Sequence, residues 1–321
     1  MLNPILATQG IRRLAIIGVG AVGSAFAYAL VQAGRPREIV LIDHDPRLAE
    51  GQMMDLSHCL PYGRPVKLEV GGLDAAADCD LVVITAGAAQ RPGESRIDLV
   101  KRNAEIMGTF FPRLSKANPK GLFVLITNPV DVMTRLAVKL SGLSPEQVFG
   151  TGTTLDTARF RQLLSQHLSV DPRNVHAYVV GEHGDSEVLL WSNAAIGPYP
   201  VEEYARRVGV PLDAAVKASI ETGVRRAAYE IIERKGMTNF AIGIATQRIF
   251  ESLSSNQSTL QTVSRQLGSA YGLGEICMAL PCLLKRSGAT EPMEMHLTPE
   301  EHDALMASAA KLDGVYSALG V

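Results

Sequence analysis

Four short apolar runs in the first half of the chain restrict its fold more than any other feature. They are RLAIIG (13–18), EIVLID (38–43), DLVVIT (80–85) and GLFVLIT (121–127). Each run is almost continuously Val, Ile or Leu, which is typical of strands that are buried on both faces. Stretches with helical patterning separate them, such as AVGSAFAYALVQAG (21–34), which ends at a glycine. The alternation predicts an α/β fold with a doubly wound parallel sheet, a Rossmann arrangement.

The character of the chain changes after about residue 150. A long helical pattern covers residues 212–236, and the apolar segments 259–267 and 275–284 are typical of an antiparallel meander. The segment 298–319 begins with Thr-Pro-Glu-Glu, the pattern of a capping box at the start of a terminal helix. We therefore expect a dinucleotide-binding domain over residues 1–150 and a second, α+β substrate domain over residues 151–321.

Charge, hydropathy and cysteine usage exclude several classes of partner. The net charge is −2 and no run of Lys or Arg occurs, which argues against a nucleic-acid partner. No apolar run approaches the roughly 20 residues that a membrane span needs. Cys59, Cys79, Cys277 and Cys282 form no CxxC pair and have apolar neighbours. They are expected to be buried, reduced thiols, which suits a cytoplasmic protein with a small-molecule substrate.

A glycine-rich turn follows the first apolar run. Gly18, Gly20 and Gly23 form G-V-G-A-V-G between a predicted strand and a predicted helix, and Asp43 ends the second strand. Glycines let the backbone approach a pyrophosphate, and the helix start offers free N–H groups. Asp43 would bind the ribose hydroxyls and repel a 2′-phosphate, which favours NAD over NADP. The alternative is a tight strand-to-helix turn that binds no ligand.

Two polar segments follow the third and fourth predicted strands. The segment 85–96 contains Gly87 and Gly93 and is placed to act as a hinged lid, although a solvated loop that binds nothing is an equal alternative. The segment 127–131 begins Thr-Asn-Pro, and Asn128 offers both a donor and an acceptor beside the expected cofactor. An Asx-type turn that leads into a helix explains the same pattern.

Three residues suited to proton transfer lie in neighbouring segments of the second half. Asp156 and Arg159 are three residues apart on a predicted helix and share one face, whereas Arg161 points away from it. His183 follows in GEHGD, with no spacing that suggests a metal site. An imidazole, a carboxylate and a guanidinium together could serve proton transfer on a carboxylate-bearing substrate. A surface ion pair and a structural histidine are the alternatives, and the catalytic reading requires His183 to contact Asp156.

Taken as an ordered set, these motifs resemble those of the lactate/malate dehydrogenase family, in particular its bacterial L-lactate branch. The motifs that carry the resemblance are GVGAVGSAFA, the strand that ends at Asp43, TAGAAQRPGESRIDLV, TNPVDV, GTTLDTARFR, VHAYVVGEHGDSE and ERKGMTNFAIG. They extend over nearly the whole chain. The resemblance implies hydride transfer between NADH and a 2-keto acid.

The resemblance also implies roles for individual residues of the substrate site. His183 would be the general acid and base, and Asp156 would orient it and raise its pKa. Arg159 would bind the substrate carboxylate through two hydrogen bonds. Arg96 would polarise the substrate carbonyl and stabilise developing negative charge.

Further residues would bind cofactor or substrate. The resemblance implies that Asn128 contacts substrate and that Thr238 lines the methyl end of the pocket. The residues expected along the cofactor are Gly18, Gly20, Val22, Gly23, Asp43, Gly87, Ala88, Thr127 and Asn128.

Gln90 is expected to decide between the two branches of the family. Malate enzymes of this kind carry an arginine at the matching position, whereas the neutral Gln90 would leave a second carboxylate unpaired. Pyruvate is therefore favoured over oxaloacetate. Arg91 could reach the same place through a one-residue shift, although the spacing from Gly87 and from Arg96 favours Gln90. A malate dehydrogenase, a broader 2-hydroxyacid dehydrogenase and a non-catalytic NAD-binding protein remain the alternatives.

The resemblance extends to assembly and regulation. Relatives of this kind are generally homotetramers. In bacterial relatives the residues that match Arg161 and His176 lie at a subunit interface and bind fructose 1,6-bisphosphate, although non-regulated relatives carry the same pair. His176 lies seven residues before His183, and along one extended strand the two would point to opposite sides.

Overall fold

The elements of the first half alternate between strands and helices. The computed structural model describes residues 10–88 and 96–319, and of residues 96 and 97 it describes the backbone alone. The elements up to residue 150 are β1 (Arg13–Ile17), α1 (Ala21–Ala33), β2 (Glu38–Ile42), α2 (Pro46–Ser57), β3 (Lys67–Val70), β4 (Leu81–Ile84), α3 (Arg96–Ala117), β5 (Leu122–Leu125), α4 (Val130–Ser141) and β6 (Val148–Gly150).

The strands of the first half form a parallel sheet in the order β3-β2-β1-β4-β5-β6. Ile17 of β1 pairs with Ile42 of β2 on one side and with Ile84 of β4 on the other. The chain thus winds outward in both directions from β1 and β4, and the predicted doubly wound sheet is confirmed. Ligands of such sheets bind beyond the carboxyl ends of the strands where the winding reverses, which is the end of β1 and β4. Strands β3 and β6 were not predicted from the sequence.

The second half contains longer helices and an antiparallel meander. Its elements are α5 (Thr154–Leu168), β7 (Val175–His176), β8 (Val179–Val180), β9 (Val188–Leu189), β10 (Ala195–Ile196), β11 (Tyr199–Pro200), α6 (Val201–Val208), α7 (Ala214–Lys235), α8 (Phe240–Ser255), β12 (Thr259–Gly268), β13 (Gly274–Lys285), β14 (Gly288–Pro292) and α9 (Pro299–Leu319). The predicted antiparallel pairing is confirmed, for example between Thr259 and Leu284.

The meander continues the parallel sheet. Ser264 of β12 pairs with Gly150 of β6, so that within residues 10–88 and 96–319 one sheet of nine strands runs from β14 to β3. The predicted boundary between two domains near residue 150 falls between β6 and α5, where the sheet continues from one half of the chain into the other. This boundary stays a prediction.

Alternate residues of the parallel strands face two separate core layers. Ala15 and Ile17 pack with one buried cluster, whereas Leu14 and Ile16 pack with another on the opposite face of the sheet. Both faces are therefore covered, which explains why the strands are almost uniformly apolar. A third cluster, which includes Phe160, lies beneath α5 and α7.

The ends of the first and last helices follow their sequence signals. Helix α1 ends where Gly34 adopts a left-handed conformation, with φ of 65°. At the start of α9 the backbone N–H of Glu301 donates to Oγ1 of Thr298 over 3.2 Å, and that of Thr298 donates back to the Glu301 carboxylate over 3.0 Å. The predicted capping box is thereby confirmed.

The cysteines are free thiols. Cys79, Cys277 and Cys282 are buried, whereas Cys59 is partly exposed, so the expected burial holds for three of the four. Among the described residues no helix combines the length and the apolar character that crossing a membrane requires.

Candidate functional site

The turn between β1 and α1 depends on two of its glycines. Gly18 has a φ of 93°, and a Cβ there would lie 2.5 Å from the backbone nitrogen of Ala86. A Cβ on Gly23 would lie 2.0 Å from the carbonyl oxygen of Gly18. The absence of side chains therefore lets α1 begin close against β1 and the segment after β4.

The same turn has the features of an anion cradle. A Cβ on Gly20 would meet no atom within 4 Å, so this glycine faces open space. No side chain of the described residues caps the N-terminus of α1, and Val22 lies in its first turn. The N–H groups there remain available to a pyrophosphate. These residues fit the diphosphate of a dinucleotide.

Asp43 lies next to the glycine turn at the end of β2. Its Oδ2 accepts a hydrogen bond from the backbone N–H of Val19 over 2.8 Å, and its Oδ1 accepts from that of Asp45 over 3.0 Å. The Oδ1 atom also lies 2.7 Å from Nδ1 of His44. The carboxylate is thus held against the turn, and the remaining acceptor position on Oδ2 is available to a ribose hydroxyl.

Asn103 joins the two polar segments that follow β4 and β5. Its Oδ1 accepts from the backbone N–H of Ala88 over 2.7 Å, and its Nδ2 donates to the carbonyl of Asn128 over 2.9 Å. Thr127 Oγ1 donates to the carbonyl of Ala86 over 2.7 Å, and a Cβ on Gly87 would lie 2.4 Å from Thr127 Cγ2. The predicted cofactor residues of the two segments therefore lie together. Asn103 was not among the predicted site residues, and its only signal is an amide at a buried position of α3.

Asp156 contacts both His183 and Arg159. Its Oδ2 lies 2.6 Å from Nδ1 of His183, and its Oδ1 accepts from Nη1 of Arg159 over 2.7 Å. The Asp156 side chain is 2% exposed, against 26% for His183 and 14% for Arg159. The carboxylate is therefore enclosed, while the imidazole and the guanidinium reach solvent. The contact that the catalytic reading requires is present.

Threonines on α5 fix Asp156 relative to the segment that carries His183. Thr153 Oγ1 donates to the carbonyl of Val179 over 2.5 Å, and the backbone N–H of Val179 donates to Thr157 Oγ1 over 2.9 Å. Both threonines are buried. The first turn of α5 is thus tied to β8 at Val179, two residues before the Gly181–Gly184 turn.

Asp131 holds the backbone of His183. It lies in the first turn of α4, is 1% exposed, and its Oδ2 accepts from the backbone N–H of His183 over 2.8 Å. Burial raises the pKa of Asp131 to about 6. Asp131 lies within the motif TNPVDV and had no predicted role. The signal was a carboxylate on the apolar side of a predicted helix.

The contacts of His183 change its protonation. Burial lowers the pKa of His183, but the charge of Asp156 and the hydrogen bond between them outweigh burial and raise it to about 9. Burial likewise favours the neutral acid of Asp156, yet the cations His183 and Arg159 hold the pKa of that carboxyl below its ordinary value. At neutral pH the pair is therefore an imidazolium and a carboxylate, which is a proton donor with its counter-ion.

Other predicted substrate residues are less fully described. Arg96 is the first residue of α3, and its side chain lies outside the described atoms. Gln90 and Arg91 lie outside the described residues. Thr238 lies in the connection between α7 and α8 and is partly buried.

Arg161 and Arg159 have separate contacts, as the helical spacing predicted. Arg161 Nε donates to the carbonyl of Ala177 over 3.0 Å, and its guanidinium lies 5.4 Å from the ring centre of Tyr178. His176, the neighbouring residue, is exposed.

The expectation that one extended strand joins His176 to His183 is wrong. Strand β7 ends at His176, and the short β8 ends at Val180. Gly181 and Gly184 then turn the chain with φ values of 93° and 159°. The alternation of side chains along a strand therefore does not relate the two histidines.

Comparisons with known proteins agree with this arrangement. The family model for the lactate/malate dehydrogenase NAD-binding domain matches residues 12–150, and the model for the α/β C-terminal domain of the same family matches residues 153–316. The chain is 46% identical to an L-lactate dehydrogenase of Thermus aquaticus, over 96% of this chain and 99% of that protein. It is 45% identical to one of Gloeobacter violaceus, over 94% and 92%.

Solved structures show the same similarity. A lactate dehydrogenase from a Medee basin deep-sea metagenome library superposes with a TM-score of 0.93 at 38% identity, over 98% of this chain and 100% of that one. The minor L-lactate dehydrogenase of Enterococcus mundtii gives a TM-score of 0.93 at 38% identity, over 96% and 98%. Fold, glycine turn and matched sequence all agree, and the chain belongs to the NAD-binding lactate/malate dehydrogenase family.

Proposed function

We propose that this chain is an NAD-dependent L-lactate dehydrogenase, which transfers a hydride reversibly between NADH and pyruvate to form L-lactate. The observation that carries the proposal is the contact of Asp156 with His183 on one side and Arg159 on the other. The similarity to L-lactate dehydrogenases over nearly the whole chain supports it.

His183 and Arg159 have complementary tasks in this proposal. In pyruvate reduction the imidazolium of His183 donates a proton to the substrate carbonyl oxygen, and in lactate oxidation neutral His183 accepts the hydroxyl proton. Asp156 keeps Nδ1 protonated through the 2.6 Å contact, so the other ring nitrogen faces the substrate. Arg159 uses one N–H group on Asp156, and its other donors are available to the substrate carboxylate.

The remaining predicted residues complete the substrate site. Arg96 polarises the substrate carbonyl, Asn128 donates a hydrogen bond to substrate and Thr238 lines the methyl end of the pocket. NADH, when bound along the glycine turn and Asp43, supplies the hydride.

Steady-state rates test the function and the substrate together. Initial rates with NADH are measured for pyruvate, oxaloacetate and larger 2-keto acids, and pyruvate is expected to have the highest kcat/KM. The neutral Gln90 motivates this order. A preference for oxaloacetate would favour malate dehydrogenase activity. Absence of turnover together with NADH binding would favour a non-catalytic NAD-binding protein.

We further propose that the chain forms a homotetramer in the cytoplasm. Helices α1 and α8 expose large apolar side chains on one side of the molecule, among them Tyr28, Phe240 at 71% exposure and Ile244. Apolar surface of this kind is typical of subunit contacts. The buried free thiols suit a reducing compartment. Sedimentation equilibrium should give four times the mass of 34.4 kDa, and a monomer at micromolar concentration would contradict the assembly.

We also propose fructose 1,6-bisphosphate as an activator that binds Arg161 and His176. The contact of Arg161 with the carbonyl of Ala177, which follows His176, supports the proposal because it brings the two residues to one part of the second half. An activator that prefers the competent state would lower the KM for pyruvate. Pyruvate saturation is measured with and without millimolar sugar bisphosphate at low protein concentration. An unchanged wild-type curve contradicts activation, and an effect that persists in Arg161→Gln places the site elsewhere.

A further inference from the structure

Glu187 is a third buried acid beside the Asp156–His183 pair, and the mechanism above does not use it. It is 3% exposed and lies immediately before β9. A ligand atom of Glu187 lies within 4.8 Å of ligand atoms of both Asp156 and His183. Its Oε1 has no hydrogen-bond partner among the described residues. A buried carboxyl group with an unpartnered oxygen, at this distance from an imidazole, affects the charge of that imidazole.

The backbone of Glu187 is held at both ends. Its N–H donates to the carbonyl of Gly184 over 3.2 Å, and its carbonyl accepts from Nη2 of Arg225, on α7, over 3.1 Å. Arg225 also donates to Glu221 over 3.1 Å. The main chain at Glu187 is therefore fixed by contacts on both sides of the residue.

Charged groups face this cluster from helices α4, α5 and α7. Helix α5 contributes Asp156 and Arg159, helix α7 contributes Arg225, and helix α4 contributes Asp131 beneath His183. Burial, reinforced by the negative charge of Asp156, raises the pKa of Glu187 to about 8. Arg159 and Arg225 already bring positive charge to the carboxylates, so a metal cation is not required there.

We propose that Glu187 is a positioning residue for the reacting proton: in alkaline solution its ionised carboxylate faces the imidazolium and keeps the proton on His183. In neutral solution Glu187 is a neutral acid, and the carboxylates of Asp156 and Asp131 balance the imidazolium. When the pair His183 and Glu187 has lost one proton, the remaining proton is shared between them. Glu187 thus extends pyruvate reduction to higher pH. The kinetic consequence rests on the proposed dehydrogenase function.

Substitution of Glu187 by Gln distinguishes this role from a structural one. Gln has the shape of the protonated acid, so Glu187→Gln should match wild type near pH 6.5, below the Glu187 pKa of about 8. Above that pKa the variant lacks the negative charge, and the His183 pKa should fall by about 1–2 pH units for charges at this separation. The alkaline limb of kcat/KM for pyruvate should move by the same amount. A structural role would instead reduce activity equally at every pH.

The His183 pKa is measured directly by NMR with ¹⁵N-labelled histidine, and the signal is assigned by its loss in His183→Gln. This titration needs no substrate. Glu221→Gln is the matched control, because Glu221 pairs with Arg225 and Trp191 on the outer side of the cluster. In Glu221→Gln, His183 should titrate at the same pH as in wild type. Glu187→Asp restores a charge and should recover part of the alkaline activity.

The outcomes separate the two proposals. An unchanged His183 pKa in Glu187→Gln overturns the role of Glu187, as does a loss of activity that is uniform from pH 6 to 10. A lowered His183 pKa with no pyruvate turnover in wild type keeps the role of Glu187 and contradicts the dehydrogenase proposal.

Discussion

Replacing Asp156 by Asn removes the negative charge that faces His183 and hardly alters the shape of the side chain. The His183 pKa rises from 6.5 to about 9 in the folded protein. At 1.36 kcal/mol per pH unit, this corresponds to about 3 kcal/mol in favour of imidazolium. Burial by itself lowers the pKa of His183, so without the Asp156 charge we expect a pKa at or below the ordinary value.

The consequence for catalysis depends on pH. Near pH 7.5, wild-type His183 is almost fully protonated, whereas in Asp156→Asn roughly one molecule in ten keeps the proton. Protonation alone should therefore lower kcat/KM for pyruvate about tenfold at this pH, and most of that loss should disappear near pH 5.5. Any loss that persists at low pH reports the orientation of His183 and the ion pair with Arg159.

The assay is the pH profile of kcat/KM for pyruvate with saturating NADH. Asp171→Asn is the matched control, because Asp171 forms an exposed ion pair with Arg173 at 2.7 Å, and its removal should leave the profile unchanged. An alkaline limb at the same pH in wild type and Asp156→Asn would refute the reasoning, since His183 would then owe its basicity to other groups.

Three further outcomes are expected. Gln90→Arg should shift preference from pyruvate toward oxaloacetate by about 2–5 kcal/mol of transition-state binding, measured as the ratio of the two kcat/KM values. An unchanged ratio would show that this position does not select the substrate. His183→Ala should lose turnover and keep its NADH affinity in fluorescence titration. Because folding raises the His183 pKa, the free energy of unfolding of wild type should exceed that of the variant by up to about 3 kcal/mol below pH 6.5. This difference should fade as pH rises through 9. Gly23→Ala should lower the free energy of unfolding, measured with denaturant, by about 1–3 kcal/mol, because its Cβ would meet the carbonyl of Gly18. Gly20 faces open space, so Gly20→Ala should leave stability unchanged and weaken NADH binding.

Local patterns in the sequence were sufficient for the parallel sheet and the glycine turn. Strands β1, β2, β4 and β5 are buried on both faces, and burial of that kind leaves a continuous apolar run. Strand β3 is a half-exposed edge strand with two charged residues, and β6 has three residues. Neither is long or apolar enough to give a periodic signal, so both were missed.

Contacts between distant parts of the chain could be predicted only through the family resemblance. Spacing placed Asp156 and Arg159 on one helix face, but the approach of His183 depends on how β8 and the following glycines turn. The same limit applies to Asp131 and Asn103, whose partners are 52 and 25 residues away in the chain. A buried polar side chain is the only local sign of such contacts, and the sequence does not state which polar residues are buried.

The pairing of β6 with β12 also determines how the chain can be divided or recombined. Cutting after residue 150 would expose an unpaired strand edge on each fragment, and such edges recruit other chains. Separately expressed halves should therefore aggregate unless they are produced together. A chimera of two relatives would need residues that fit one another where β6 pairs with β12. A Cβ on Gly150 there would lie 2.5 Å from Thr134 Oγ1 and 3.4 Å from the Ser264 side chain. A residue larger than glycine at position 150 would clash first with Thr134 on α4, the helix that packs on both β6 and β12, so an exchange would have to keep Gly150 or change Thr134 with it.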